Sequence, residues 1–197
     1  IKANHITAVT FTNKAAREMK GRVAETLGKK ESRGLIVSTF HNLGLRILRK
    51  DHKILGYKTG FSVFDATDTL SILKGLYAQD SASNVDDAEE ARWQISRWKN
   101  DFVLPEQAIV QAENDIEARF ARLYERYQRQ LKAYNAFDFD DLIMQPVILF
   151  QENHEVLERW QKRMHYLLVD EYQDTNASQY QLVKLLLGHR ARLTAVG

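Results

Sequence analysis

Two acidic residues, Asp170 and Glu171, follow directly after the apolar run Tyr166–Val169. If this run is a buried strand of a parallel sheet, both carboxylates lie at its carboxyl end, where such sheets bind ligands. This arrangement is typical of a Walker-B site, in which one acid holds Mg²⁺ and the next positions or deprotonates water. The alternative is an acidic turn before the next helix, with Asp174 or Asn176 as the N-cap. The polar string YQDTN after the two acids favours the catalytic interpretation.

Polar side chains also cluster at two predicted strand-to-helix junctions. The first junction contains Thr10, Phe11, Thr12, Asn13 and Lys14, and the second contains Ser38, Thr39, Phe40 and His41. Backbone N–H groups at helix starts and such side chains can bind phosphate oxygens, and an aromatic ring can stack on an unpaired base. Two junctions at one sheet edge would suit a single nucleic-acid strand. The alternatives are Thr12 as an N-cap with Phe11 in the core, and His41 as a packed or capping histidine.

The chain contains no G-x-x-x-x-G-K-[ST] phosphate-binding loop. If the protein is a nucleotide hydrolase, we expect this loop to lie outside the chain, most simply just before Ile1. The six histidines are scattered without zinc-like spacing.

Composition limits the classes of protein that remain. The 197 residues are 44% hydrophobic with no cysteine, which excludes a disordered tail, a collagen-like fibre and a disulfide-stapled domain. Without a membrane-length apolar run or a signal motif, a cytoplasmic protein is the default.

The net charge of +2 hides an asymmetry. Residues 1–60 hold 13 Lys and Arg against 4 Asp and Glu, whereas residues 61–160 hold 10 against 19. Either an anionic partner docks on the basic region, or the acidic region neutralises it.

The elements that would position these residues alternate at the start of the chain. A β-branched strand at 6–11 precedes a helix at 13–27 that ends at Gly28, and a second strand at 35–40 leads into another helix. The first helix presents one apolar face, made of Ala16, Met19, Val23 and Leu27. Strands alternating with helices predict an α/β fold with a parallel sheet.

The middle of the chain, about 65–152, shows helical patterns and no convincing strand. The clearest stripe contains Ile116, Phe120, Leu123, Tyr127, Leu131 and Tyr134, and a shorter one contains Ala91, Ile95 and Trp98. Pro105 should open a helix, and 81–87 should form a polar loop. A helical subdomain inserted between strands of the sheet is predicted.

The sheet pattern returns near the end of the chain. A helix at 177–187 is expected to turn Tyr180, Val183, Leu186 and Leu187 inward, and 193–197 begins a further strand.

Four ordered motifs resemble those of the superfamily 1 DNA helicases, best the Rep/UvrD/PcrA group. They are TFTNKAAREM (10–19), STFH (38–41), FDFDDL (137–142) and LLVDEYQDTN (167–176). The resemblance implies an ATP-driven motor that moves 3′→5′ on single-stranded DNA and unwinds duplex in replication or repair. It implies ATP and Mg²⁺ as cofactors, and single-stranded DNA and single-strand/duplex junctions as partners.

The resemblance also assigns roles to residues. Asp170 would hold Mg²⁺, Glu171 would be the catalytic base, and Gln173 would link the nucleotide site to the DNA site. The first junction and the second, with Ser38, Thr39 and His41, would contact single-stranded DNA, with Phe11 against a base. Residues 1–40 and 152–197 would form a partial RecA-like motor domain, and 41–151 an inserted all-helical accessory subdomain. The FDFDDL motif would lie near the point where the chain returns from the accessory subdomain to the sheet, or it would begin a helix with Asp138 as cap.

The chain departs from the group by lacking Walker A, a later motif carrying glutamine and arginine, and a second RecA-like domain with its arginine finger. We therefore expect no ATP hydrolysis by this polypeptide alone. A helicase–nuclease subunit and a single-stranded DNA-binding module with an inactive motor site are the alternatives, and the intact acid pair argues against the second.

Overall fold

The computed structural model describes residues 1–79, 87–189 and 191–197. Within these residues the chain forms two compact units, one made of Ile1–Asp51 with Gln145–Gly197 and the other of His52–Met144. The boundaries inferred from sequence, with 41–151 as the insertion, stay a prediction. Apart from Asp87, the predicted loop at 81–87 lies outside the described residues.

The first unit is built on a four-stranded sheet. Its strands are β1 (Ile6–Thr10), β2 (Ile36–Thr39), β5 (Tyr166–Val169) and β6 (Arg192–Ala195). They are all parallel, in the order β2-β1-β5-β6. The registers pair Thr10 with Thr39 and Val9 with Val169, so the carboxyl ends of the strands meet at one edge. The predicted α/β class with a parallel sheet is confirmed.

Among the described residues, five helices belong wholly or partly to the same unit as this sheet. They are α1 (Asn13–Leu27), α2 (Phe40–Asp51), α7 (Asp141–Glu152, which begins in the other unit), α8 (His154–Gln161) and α9 (Ala177–Leu187). Short 3₁₀ helices span Ala3–His5 and Tyr172–Asp174. Gly28 ends α1 with a φ of 84°, a conformation that glycine adopts readily. The helix α8 is tied to α2 through buried Asp51, which accepts hydrogen bonds from Arg159 and the Trp160 indole.

The second unit is mainly helical. Its complete helices are α3 (Ala66–Ala78), α4 (Ala88–Asn100), α5 (Pro105–Gln111) and α6 (Asp115–Ala133). They enclose a core in which Tyr124, Tyr127 and Leu131 are fully buried. Pro105 opens α5 as predicted.

This second unit also corrects the expectation of an all-helical insertion. The strand β3 (Ser62–Phe64) pairs in parallel with β4 (Ala136–Asp138), which falls in the region predicted to lack strands. Each strand is only three residues long, too short to produce a detectable alternation of apolar and polar residues.

Four residues predicted to face inward are instead exposed. They are Leu27, Ile116, Tyr134 and Tyr180. Leu27 is the last residue of α1, Ile116 the second residue of α6, and Tyr134 the residue directly after α6. In α9 the buried stripe runs through Gln179, Leu182, Val183 and Leu186, which leaves Tyr180 beside it.

None of the helices within the described ranges is long and apolar enough to cross a membrane.

A buried charge cluster joins α4 to the end of β4. The Nζ atom of Lys99, which has no exposed surface, lies 2.6 Å from Asp138 Oδ2 and 3.0 Å from Asp141 Oδ1. The Tyr127 hydroxyl donates to Asp138 Oδ2 at 2.9 Å. Asp138 also accepts from the backbone N–H of Asp141, the first residue of α7, so it holds the start of that helix from three residues before it; Asp140 is the residue directly before the helix.

Candidate functional site

Asp170 stands half-buried at the carboxyl end of β5, as predicted. Its backbone N–H donates to Val9 O of the neighbouring strand at 3.0 Å. Its carboxylate Oδ2 accepts from the hydroxyl of buried Thr10 at 3.2 Å. The carboxylate is therefore oriented by a residue of β1.

Glu171 adopts a left-handed backbone conformation, with a φ of 51°. A non-glycine residue in this region is strained by about 1–3 kcal/mol, and such strain clusters at functional sites. The conformation is held from both sides, because Tyr172 N donates to Val196 O and Val196 N donates to Val169 O, each at 2.9 Å. The Glu171 side chain is exposed and accepts from Gln173 Nε2 at 2.6 Å.

The acid pair is not needed to start the next helix. Asn176 caps α9, accepting from Gln179 N at 2.8 Å while Gln179 Oε1 accepts from Asn176 N at 3.1 Å. Asp174 belongs to the short 3₁₀ helix instead. Of the two caps that the sequence allowed, the structure uses Asn176, and capping leaves Asp170 and Glu171 unexplained.

Asp170 also fits a magnesium ligand. Mg²⁺ is commonly bound by one or two carboxylates together with substrate phosphates and water. Asp170 supplies one carboxylate at an accessible sheet edge, with one oxygen oriented by Thr10. No group of three or more His, Asp or Glu that could hold a metal by itself occurs in the described part of the chain.

The first junction combines a helix cap with exposed polar groups. Thr12 Oγ1 accepts from Ala15 N at 3.1 Å and so caps α1, as the structural alternative expected. Asn13 and Lys14 are exposed beside it. Phe11 is half-buried, with its ring centroid 5.5 Å from that of Phe40, so it is not enclosed in the core.

The second junction is more deeply buried. Thr39 accepts from Asn42 N at 3.2 Å, and the Ser38 hydroxyl is buried without a hydrogen-bond partner among the described residues. Asn42 also donates from Nδ2 to Asn13 Oδ1 at 3.0 Å, which joins the two junctions. Sequence reasoning missed Asn42, although its place three residues after Thr39 is typical of a cap pattern.

His41 is half-buried at the start of α2, and burial lowers its pKa to about 4. The imidazole is therefore neutral at about pH 7. Without a bound anion His41 therefore adds no positive charge to the second junction.

The chain carries the N-terminal domain of a helicase family. Residues 1–197 match the family model described as UvrD/REP helicase N-terminal domain, and the chain belongs to this family.

Relatives with curated names are also helicases. The chain is 54% identical over 200 residues to "ATP-dependent DNA helicase Rep" of Escherichia coli (strain K12) and, equally, of Salmonella typhimurium (strain LT2). All of this chain is covered in both matches. It is 43% identical over 197 residues to "ATP-dependent DNA helicase PcrA" of Staphylococcus epidermidis (strain RP62A), with 98% of this chain and 26% of PcrA covered. The chain spans only 29% of the length of the two Rep proteins.

Proposed function

We propose that this chain is part of the motor of an ATP-dependent DNA helicase that moves 3′→5′ on single-stranded DNA and unwinds duplex in replication or repair. The hydrogen bond between Thr10 and Asp170 carries the proposal, because it joins the acid pair to the first junction at one sheet edge. Residues 41–151 would be the accessory subdomain. The protein would work in the cytoplasm on single strands and single-strand/duplex junctions, beside other replication or repair proteins.

Asp170 is the residue that would hold Mg²⁺, with Thr10 keeping its carboxylate in place. Mg²⁺–ATP supplies the phosphoanhydride bond whose hydrolysis drives movement. Glu171, exposed on its strained turn, would accept the proton of the attacking water at a carboxylate oxygen. The Gln173 amide donates to Glu171 Oε2 and would hold the base in position while linking it to the DNA site.

The two junctions would hold the single strand. Phe11 would stack one ring face on a base, an interaction worth about 1–3 kcal/mol. The remaining contacts to phosphate and sugar would come from Thr12, Asn13, Lys14, Ser38, Thr39 and His41. The predicted DNA contact of Thr10 would be indirect, since its side chain is buried and bonded to Asp170.

The test of the acid pair is Glu171→Gln in the full-length protein. ATP binding should persist while DNA-stimulated turnover is lost, because the amide cannot accept the proton. Asp174→Asn is the matched control, since Asp174 is an exposed acid three residues away. Normal turnover in Glu171→Gln would refute the role of Glu171 as base.

A second test uses the 197-residue chain itself. Because no phosphate-binding loop occurs in its sequence, the purified chain should show no DNA-stimulated ATP hydrolysis. Measurable turnover would overturn this. A full-length protein that binds single-stranded DNA yet hydrolyses no ATP would favour a binding module with an inactive motor site.

A further inference from the structure

A groove of about 260 Å³ runs along the outer edge of β2. Residues 35–38 line it, and β2 pairs only with β1 within the described part of the sheet. Lys20 of α1 and residues of α2 also line the groove. The α2 residues are Asn42, Leu45, Arg46 and Arg49.

The groove is strongly basic. Lys20 of α1 and Arg46 and Arg49 of α2 bring positive charge to it, and the lining residues include no Asp or Glu. Lys20 and Arg46 are exposed, so their charged groups reach solvent at the groove. Such a concentration of positive charge attracts phosphate groups.

The groove is also continuous with the two junctions. Asn42 lines it and, at the same time, donates to Thr39 through its backbone and to Asn13 through its side chain. Ser38 also lines it, and its buried hydroxyl has no hydrogen-bond partner among the described residues. Because buried polar atoms are nearly always hydrogen-bonded, the groove retains one group still to be satisfied.

We propose that this β2-edge groove holds the phosphodiester backbone of single-stranded DNA as it continues past the two junctions. The inference rests on the proposed function, because it takes the junctions to bind that strand. An acidic peptide adding to the free edge of β2 is the competing occupant. DNA is favoured because Asn42 connects the groove directly to the junction residues.

The experiment compares two double variants of the full-length protein, Lys20→Ala/Arg46→Ala and Arg22→Ala/Lys50→Ala. Both remove one cation from α1 and one from α2, but Arg22 and Lys50 do not line the groove. Affinity for a single-stranded oligonucleotide is measured across a salt series, with circular dichroism to confirm folding. Each phosphate contact contributes about 0.7 to the slope of log K against log salt on a single strand. The groove variant should therefore lose about 1.4 from this slope, and the control should keep the wild-type slope.

The same slope loss in both variants, or in neither, would overturn the proposal. Loss of binding to polyglutamate with an unchanged DNA slope would assign the groove to an acidic peptide and would also overturn it. Failure of the proposed function looks different, because the wild-type protein itself would then show no DNA-stimulated ATPase. If the groove variant does not fold, Lys20→Gln and Arg46→Gln are measured singly, each with an expected slope loss of about 0.7.

Discussion

Lys99→Met removes the only cation that the described residues place against Asp138 and Asp141. Burial alone would lower the pKa of Lys99, but the two carboxylates outweigh burial and hold that pKa above its ordinary value. Lys99 is therefore a fully buried ammonium at neutral pH. Methionine keeps most of the apolar stem, so the substitution removes charge more than volume.

Lys99→Met destabilises the fold because it leaves two buried carboxylates without a cation. Removing one partner of a buried ion pair costs about 3–5 kcal/mol, because the other charge stays desolvated and unpaired. Here two carboxylates lose their cation at once. Tyr127 and the Asp141 backbone N–H still donate to Asp138, so we expect a loss of about 4 kcal/mol in the free energy of unfolding at about pH 8.

The pH dependence gives the sharper signature. Burial first, and then the nearby Asp138 charge, raises the pKa of Asp141 to about 6 from an ordinary 3.8, against the lowering effect of Lys99. Without Lys99 the pKa of Asp141 rises further. A carboxyl whose folded pKa exceeds its unfolded pKa binds its proton more tightly in the folded state, so stability increases as pH falls through that interval. The stability deficit of Lys99→Met is the amount by which its free energy of unfolding falls below that of the wild type. This deficit should therefore become smaller as the pH falls from about 8 to about 5.5.

Urea denaturation of both proteins at the two pH values measures this deficit. Lys162→Met is the control, since its pair with Glu158 leaves the side chains 71% and 64% exposed and should be worth less than about 1 kcal/mol. A Lys99→Met deficit no larger than that of the control, or one equal at both pH values, would refute the description of the cluster as buried and charged.

Three further predictions concern the site. Phe11→Ala in the full-length protein should weaken DNA stimulation of the ATPase, because a stacking surface is lost, and an unchanged stimulated rate would assign Phe11 to packing against Phe40. Asn176→Ala should destabilise the fold by about 1 kcal/mol in urea denaturation through loss of the α9 cap; an unchanged midpoint would contradict the cap. His41 has a folded pKa of about 4, below its ordinary 6.5, so stability should be lost as pH falls from about 6.5 towards 4. His41→Gln should reduce that loss in a pH series of melting temperatures. If the melting temperatures of both proteins fell equally at acidic pH, His41 would be excluded as the cause of the loss.

Local signals account for the parts of the fold that the sequence predicts well. The helices α1 and α9 occupy the expected ranges because each has a capping side chain at its start, Thr12 or Asn176, and a glycine directly after its end. The β5 strand is predicted equally well, because its apolar run ends sharply at two acidic residues.

Long-range contacts account for what the sequence could not predict. A lysine in an amphipathic helix normally indicates a solvated face, and the partners of Lys99 lie 39 and 42 residues further along the chain. The β3–β4 pairing and the Thr10–Asp170 bond, across 160 residues, likewise depend on tertiary packing that no local pattern reports. The sequence predicts the position of the acid pair from its strand, but it does not predict that Thr10 orients Asp170.

The bond between Thr10 and Asp170 also sets the length of a communication path. Thr10 precedes Phe11 directly in the chain, so a displacement of the Asp170 carboxylate reaches the Phe11 backbone through one hydrogen bond and one peptide unit. Under the proposed function, this connection gives a nucleotide-dependent shift at the acid a direct route to the residue that stacks on the base. Every group on this path belongs to the first unit.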